Sequence, residues 1–218
     1  NAWRHIESKV FFDNSAGTVE VRVEGVVVLD LTTQDTNSTQ CAQVAIGVAV
    51  DNTTVSQLAY FKDVVFWDGT GSENNDFVGP CGVYRLTPNA DVSSGWTPST
   101  GADDYALIDE APPVDTDYIY AGDPPPAPSI LNMTNLPADI ISVRGLVSVV
   151  RSEKSDGGDG NLQVSMSPNG TDWDDGSDDP ITTAFAYTYD VSEVSPDTTA
   201  PWTPVKVNAM EVKLNRTA

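Results

Sequence analysis

Acidic side chains dominate the groups in this sequence that could do chemistry. The 218 residues hold 32 Asp and Glu against 11 Lys and Arg, with a single His. Glycoside hydrolysis needs two carboxylates flanking the scissile bond. The nearest arrangement is Glu20-Val-Arg-Val-Glu24, with Arg22 where an intervening acid would stand. These three share the polar face of an alternating run, which equally describes a solvated strand face. A Ser-His-Asp relay would have to use His5, and no Gly-x-Ser-x-Gly elbow accompanies it. "DGTGSENN" lacks the Lys and the helix of a phosphate loop. No catalytic residue is assigned, and the chain reads as a non-enzyme.

Calcium is the cofactor chemistry left open. It takes six to eight oxygens, often from Asp-rich loops. The candidate ligands are Asp156, Asp159 and Asn161 in one loop, and Asp172, Asp174, Asp175 and Asp178 in another. Asp68, Glu73 and Asp76 form a third group. None follows the twelve-residue loop pattern, so solvated acidic loops remain the alternative. Trp96 and Trp173 lie among Thr, Ser and Asp, where an exposed indole could stack on a sugar ring or anchor a protein. The alternative is an indole folded back on its own sandwich. Cys41 and Cys81 read as two reduced, buried thiols, since a disulfide would need an oxidising compartment.

The elements that must position these groups are strands. Val19, Val21 and Val23 alternate with Glu20, Arg22 and Glu24. Residues 6–12 precede them across a turn at Asn14-Ser15-Ala16-Gly17, and "VVVLDL" follows Gly25. Further strands are expected over 41–50, 58–68 and the run "FVGPCGVYRLTP". Residues 89–122 are polar and acidic, with short strand candidates at 105–108 and 118–120. "PPPAP" at 124–128 reads as a linker. A second series covers 140–151, with Gly145 as a bulge, then 162–166, 184–189 and 205–214, separated by the loops "KSDGGDGN" and "DWDDGSDDP". No amphipathic helix is evident. The expected organisation is all-β: a jelly-roll β-sandwich over 1–98, an acidic, Pro-rich connection over 99–128, and a second, smaller β-sandwich-like lobe over 129–218.

Net charge of −21 excludes nucleic acid as a partner, because phosphate neutralisation needs clustered Lys and Arg. No apolar run is long enough to span a membrane.

The stretch "WRHIESKVFFDNSAGTVEVRVEGVVVLDL" resembles the central hairpin of concanavalin A-like (laminin G-like) jelly rolls. The order of five pieces resembles a group of tailed-bacteriophage structural proteins. They are that hairpin, "FKDVVFWDGTGSENNDFVGPCGVYRLTPNAD", "GWTPSTGADDYALIDEAPPVDTDYIY", "IISVRGLVSVVRSEKSD" and "PWTPVKVNAMEVKL". Where those relatives show paired Asp, this sequence has Lys62-Asp63. The resemblance implies a jelly roll that begins some tens of residues earlier. It also implies a virion component, either capsid-decorating, head-fibre or tail-fibre, assembled in the host cytoplasm. Its partners would be other virion proteins and copies of itself, a trimer among them. The alternative is an extracellular, lectin-like module for a cell-surface glycan, dependent on calcium.

Overall fold

The computed structural model describes residues 2–36, 40, 41, 43, 44, 46, 60–66, 69, 72–101 and 103–217. Their regular secondary structure is almost entirely β, in several antiparallel sheets. They form two compact units, Asn1–Val83 and Tyr84–Ala218.

The first unit holds a three-stranded sheet, β1 (Ile6–Phe11), β2 (Gly17–Val23) and β3 (Val26–Gln34), in that order. Two turns fix its register. In the first, the Asp13 carboxylate accepts the N–H groups of Ser15 and Ala16, both at 2.8 Å. These bonds stabilise the charged form and hold the carboxyl below the usual range. Gly17 follows because a Cβ there would meet Gln34 O at 2.7 Å. The second turn is Glu24-Gly25, with φ of 52° and 76°, a two-residue loop whose twist matches the strands. The alternation read from the sequence is present. Val10, Val19 and Leu31 stand opposite one another on one face, as do Ser8, Val21 and Leu29. Glu7, Lys9, Glu20 and Arg22 occupy the other. There Glu7 accepts the N–H groups of Val78 and Gly79 at 3.0 and 2.9 Å, and the Arg22 guanidinium lies 3.7 Å from the Phe77 ring centroid.

Other expected strands of this unit differ. Residues 60–66 form no strand, because Asp63 takes a left-handed φ of 53° and accepts the Val83 N–H. The remainder of the 58–68 expectation, and most of 41–50, lies outside the described residues. In "FVGPCGVYRLTP" pairing begins only at Pro88, after a left-handed Gly79 and Pro80 break the run. Cys41 is exposed and Cys81 half-buried, with no disulfide between them, rather than buried together.

The second unit is built on a five-stranded antiparallel sheet. Its strands are β4 (Pro88–Ser93), β7 (Ser129–Met133), β9 (Asn161–Ser167), β10 (Asp174–Pro180) and β14 (Glu211–Arg216), in the order β10-β9-β14-β7-β4. A ribbon of β8 (Leu146–Ser152) and β11 (Ala186–Ser192) forms a second layer. Leu131, Leu162, Val164, Met166, Val212 and Leu214 make the core, closed by Trp202, Val207 and Met210. Short pairs β5 (Thr97–Pro98) with β6 (Ile119–Tyr120), and β12 (Val194–Ser195) with β13 (Ala200–Pro201), complete the unit. Because β4 and β7 are neighbours, the 99–128 segment is an excursion within this unit. The proline stretch leads back into the sheet.

Four local expectations give way. Residues 105–108 contain a 3-10 turn, Tyr105–Leu107, not a strand. The Asp91 carboxylate accepts the N–H groups of Asp104 and Tyr105 at 2.9 and 2.8 Å and so starts that turn. Within 205–214, a helix α1 (Pro204–Asn208) precedes the strand, with Thr203 as N-cap and Pro204 at a position that tolerates proline. The shift in phase noted after Ala209 is the junction of these two elements. Strand β8 begins after Gly145, so that glycine marks its start and not a bulge. The expected loop "DWDDGSDDP" is largely β10. Its acids find donors on neighbouring elements: Asp174 from Ser192, Asp175 from Ser165 and Lys213, Asp178 from Asn161. An outer strand tolerates such charge because one edge faces water.

Candidate interaction surface

The β8–β11 ribbon separates its side chains into two faces. Residue pairs Leu146↔Ser192, Ser148↔Asp190, Val150↔Thr188 and Ser152↔Ala186 point inward. Pairs Val147↔Val191, Val149↔Tyr189 and Arg151↔Tyr187 point outward. Hydrophobic burial normally places the apolar set inside. Here the assignment is reversed. The inward set carries three Ser, a Thr and an Asp, whereas the outward set is Val, Val, Val, Tyr, Tyr and Arg. Val147 is 58 % exposed, Val149 56 %, Tyr189 61 % and Val191 67 %.

Polar anchors explain the reversal. Ser192 Oγ donates to Asp174 in a half-buried setting and accepts the Trp202 indole N–H at 3.1 Å in a buried one. Asp190 accepts the Ser177 N–H at 2.8 Å. Burial pushes the Asp190 carboxyl above the usual range, and the nearby Asp179 and Asp174 charges add to this. These bonds tie β11 to β10, so the polar face is the one fixed inward. Leu146 and Val150 alone give the ribbon apolar contact with the core.

The outer face is aromatic toward one end. The Tyr187 and Tyr189 rings lie 6.4 Å apart at 27°. Arg151 sits 4.5 Å from the Phe185 centroid and 5.3 Å from that of Tyr187. It donates twice to Asp115, through Nε at 2.7 Å and Nη2 at 2.8 Å. This pairing lowers the Asp115 carboxyl from its usual range and raises the guanidinium further. The face therefore presents no unbalanced charge.

The residues singled out in the sequence lie elsewhere. Trp96 is not an exposed platform. It is half-buried against the core, and its indole nitrogen is buried without a hydrogen-bond partner among the described residues. Its backbone N–H donates to Ser129 Oγ at 2.9 Å, which draws the loop inward. Trp173 is half-buried too, with Lys213 Nζ 4.5 Å from its ring centroid. One ring face is thus occupied by a cation.

The acids do not converge. Asp156 accepts the N–H of Gly158 within its own turn, and Asp159 is exposed. Asp172 accepts from Asn169, and Asp174 from Ser192. Only Asn161 and Asp178 meet, through a 3.0 Å bond from the Asn161 amide. Among the described residues, no three His, Cys, Asp or Glu stand together as a metal site. Glu20 is held by Arg22 Nε at 2.7 Å, and Glu24 accepts the His5 N–H at 3.0 Å. Their carboxylates serve the hairpin itself. Among the described residues, no helix is long and apolar enough to cross a membrane.

The outer face of the ribbon was missed at the level of sequence. Its signal was the alternation of Tyr187, Tyr189 and Val191, which a strand reading assigns to the core side.

No family model, curated protein or solved structure matches this chain significantly.

Proposed function

We propose that this chain is a non-enzymatic structural component of a tailed-phage virion, working through protein–protein surfaces. The observation that carries this reading is the outward-facing apolar ribbon. A row of Val and Tyr on a rigid sheet suits the core of a protein interface, where Tyr is enriched and charge is depleted. The acidic remainder keeps the free subunit soluble and discourages indiscriminate contact. The order of sequence pieces supports the virion setting, and the first unit is read as the central hairpin of a concanavalin A-like jelly roll. Mass spectrometry of purified particles of the encoding phage tests the assignment. The chain is expected as a stoichiometric component. Several hundred copies indicate capsid decoration, and a few copies indicate a fibre. Absence from the particle removes the reading.

The stacked Tyr187 and Tyr189 favour a second reading, a saccharide-binding module. Exposed rings whose planes are inclined by 27° can together meet a sugar face. Glycan-array binding that disappears in Tyr189→Ala, and persists in Trp173→Ala, would establish it.

A further inference from the structure

We propose that Asn169–Gly170, in the turn between β9 and β10, is a spontaneous deamidation site that the Asp172 carboxylate holds closed. Asn169 is the only Asn in the chain followed by Gly. With no Cβ on the next residue, nothing screens its backbone nitrogen from the Asn side chain. The turn itself demands this pair. Gly170 takes a left-handed φ of 73°, and a Cβ there would lie 2.8 Å from Glu211 Oε2. Asn169 closes the turn through its side chain: Oδ1 accepts the N–H groups of Thr171 and Asp172, both at 3.0 Å. Asn169 is exposed, so water reaches it.

The reaction needs no partner but water. The Gly170 nitrogen gives its proton to hydroxide and bonds to Asn169 Cγ. The Cγ–Nδ2 bond breaks, and the departing nitrogen takes a proton from water to leave as ammonia, which regenerates the hydroxide. Water then opens the succinimide ring at either carbonyl, giving aspartate or isoaspartate. One water is consumed and one ammonia released, with no change of oxidation state.

The restraint is geometric. Ring closure requires the side-chain amide to turn its plane toward the Gly170 nitrogen. Asp172 opposes that turn, because its Oδ2 accepts from Asn169 Nδ2 at 2.8 Å. With the two bonds on Oδ1, both ends of the amide are fixed. The step also runs one way. In the aspartate product the same contact joins two carboxylates, which repel. Isoaspartate instead adds an atom to the main chain of a turn that sets the β9–β10 register. Conversion therefore adds a negative charge and loosens the turn that had slowed it.

Peptide mapping by mass spectrometry, after incubation of the full chain at mildly alkaline pH, tests the proposal. The readout at each Asn is the mass gained when NH is exchanged for O. In urea, Asn169 is expected to convert more than about tenfold faster than the other Asn residues. In the folded wild type its conversion should be slower than in urea. Asp172→Ala removes the acceptor and should speed conversion in the folded chain by about two- to tenfold, the rate equivalent of one hydrogen bond. Asp172→Asn keeps an acceptor without the charge and should convert like the wild type. Circular dichroism should show both variants folded. An Asn169 that converts no faster than Asn215 in urea overturns the site. Equal rates at Asn169 in folded and unfolded wild type overturn the restraint without recourse to a variant. So does an Asp172→Ala variant no faster than wild type, or equal acceleration in Asp172→Ala and Asp172→Asn, which would make charge and not the hydrogen bond the cause.

Discussion

Ser129 Oγ donates a 3.0 Å hydrogen bond to Asp104 Oδ2, and neither side chain has any exposed surface. The same oxygen of Ser129 accepts the N–H groups of Gly95 and Trp96 at 3.1 and 2.9 Å. One hydroxyl thus pins both ends of the excursion that leaves the sheet after β4 and returns at β7. The other carboxylate oxygen of Asp104 is buried with no hydrogen-bond partner among the described residues.

This arrangement makes Asp104 a source of pH-dependent stability. Burial raises its carboxyl above the usual range; the Ser129 bond opposes this, and the neighbouring Asp91 and Asp103 charges reinforce it. A raised folded pKa favours the folded state when the group is protonated. That contribution is complete below the ordinary aspartate value of about 3.9 and is lost as pH rises through the raised value. Asp104→Asn removes the titration. The variant is expected to melt higher than the wild type at neutral pH, with the advantage shrinking or reversing in acid. Thermal melts across pH check this, and an advantage that does not change with pH excludes the mechanism.

Acidic conditions act the opposite way at Asp175. Lys213 and Ser165 hold its carboxyl below the usual range. Its contribution is present at neutral pH and lost as pH falls through the lowered value. Asp175→Asn should therefore flatten the acid limb of the stability curve and leave the neutral-to-alkaline limb parallel to wild type. Urea midpoints measured across pH would show it.

Ser192 is the polar hinge of the ribbon. Ser192→Ala leaves the Trp202 indole N–H buried without an acceptor and takes the donor from Asp174. Stranding a buried polar group costs about 1–3 kcal/mol. Denaturant unfolding followed by tryptophan fluorescence should show a loss of that size. An unchanged midpoint would mean that the Ser192 bonds do not fix which face of the ribbon turns inward.

Gly95 stands where no side chain fits. A Cβ there would lie 2.0 Å from Ala127 O and 2.5 Å from Pro128 O, both backbone atoms. Gly95→Ala must push the returning chain away from β4. Overpacking of this kind costs about 1–3 kcal/mol, and Gly101→Ala, with no atom within 4 Å of the added carbon, provides a control strained only by its φ of 75°. Differential scanning calorimetry of the two variants separates steric conflict from backbone strain.

Core and ribbon should respond differently to truncation. Leu214→Ala, from the buried centre of the sheet, should cost about 2–5 kcal/mol. Val149→Thr, on the outer face, should stay within about 0.5 kcal/mol at concentrations where the chain is monomeric. A large loss at Val149 would place that residue inside the folded subunit.

Where side-chain alternation and backbone pairing agreed, the sequence was readable. Val19, Val21 and Val23 announced β2, and residues 162–166 announced β9 to within one residue at each end. Failures came where a side chain satisfied the backbone. Asp91 turned residues 105–107 into a 3-10 turn, Thr203 opened a helix before β14, and Asp63 broke an apolar run. The acids of β10 looked like a loop because their donors, Ser165, Asn161, Ser192 and Lys213, come from other elements. The ribbon misled for a similar reason. Alternation shows that two faces differ, but it does not say which is fixed inward when Ser192 and Asp190 supply the anchors.

β14 lies between β7 and β9, pairing Val212 with Leu131 on one side and with Met166 on the other. Both neighbours precede it by long stretches of chain. On the ribosome they must wait with bare backbone edges until residues 211–216 emerge, and the sheet then closes by insertion of its middle member. A nascent chain stalled before that point offers a gap of one strand's width, which a β14 segment from another molecule can fill.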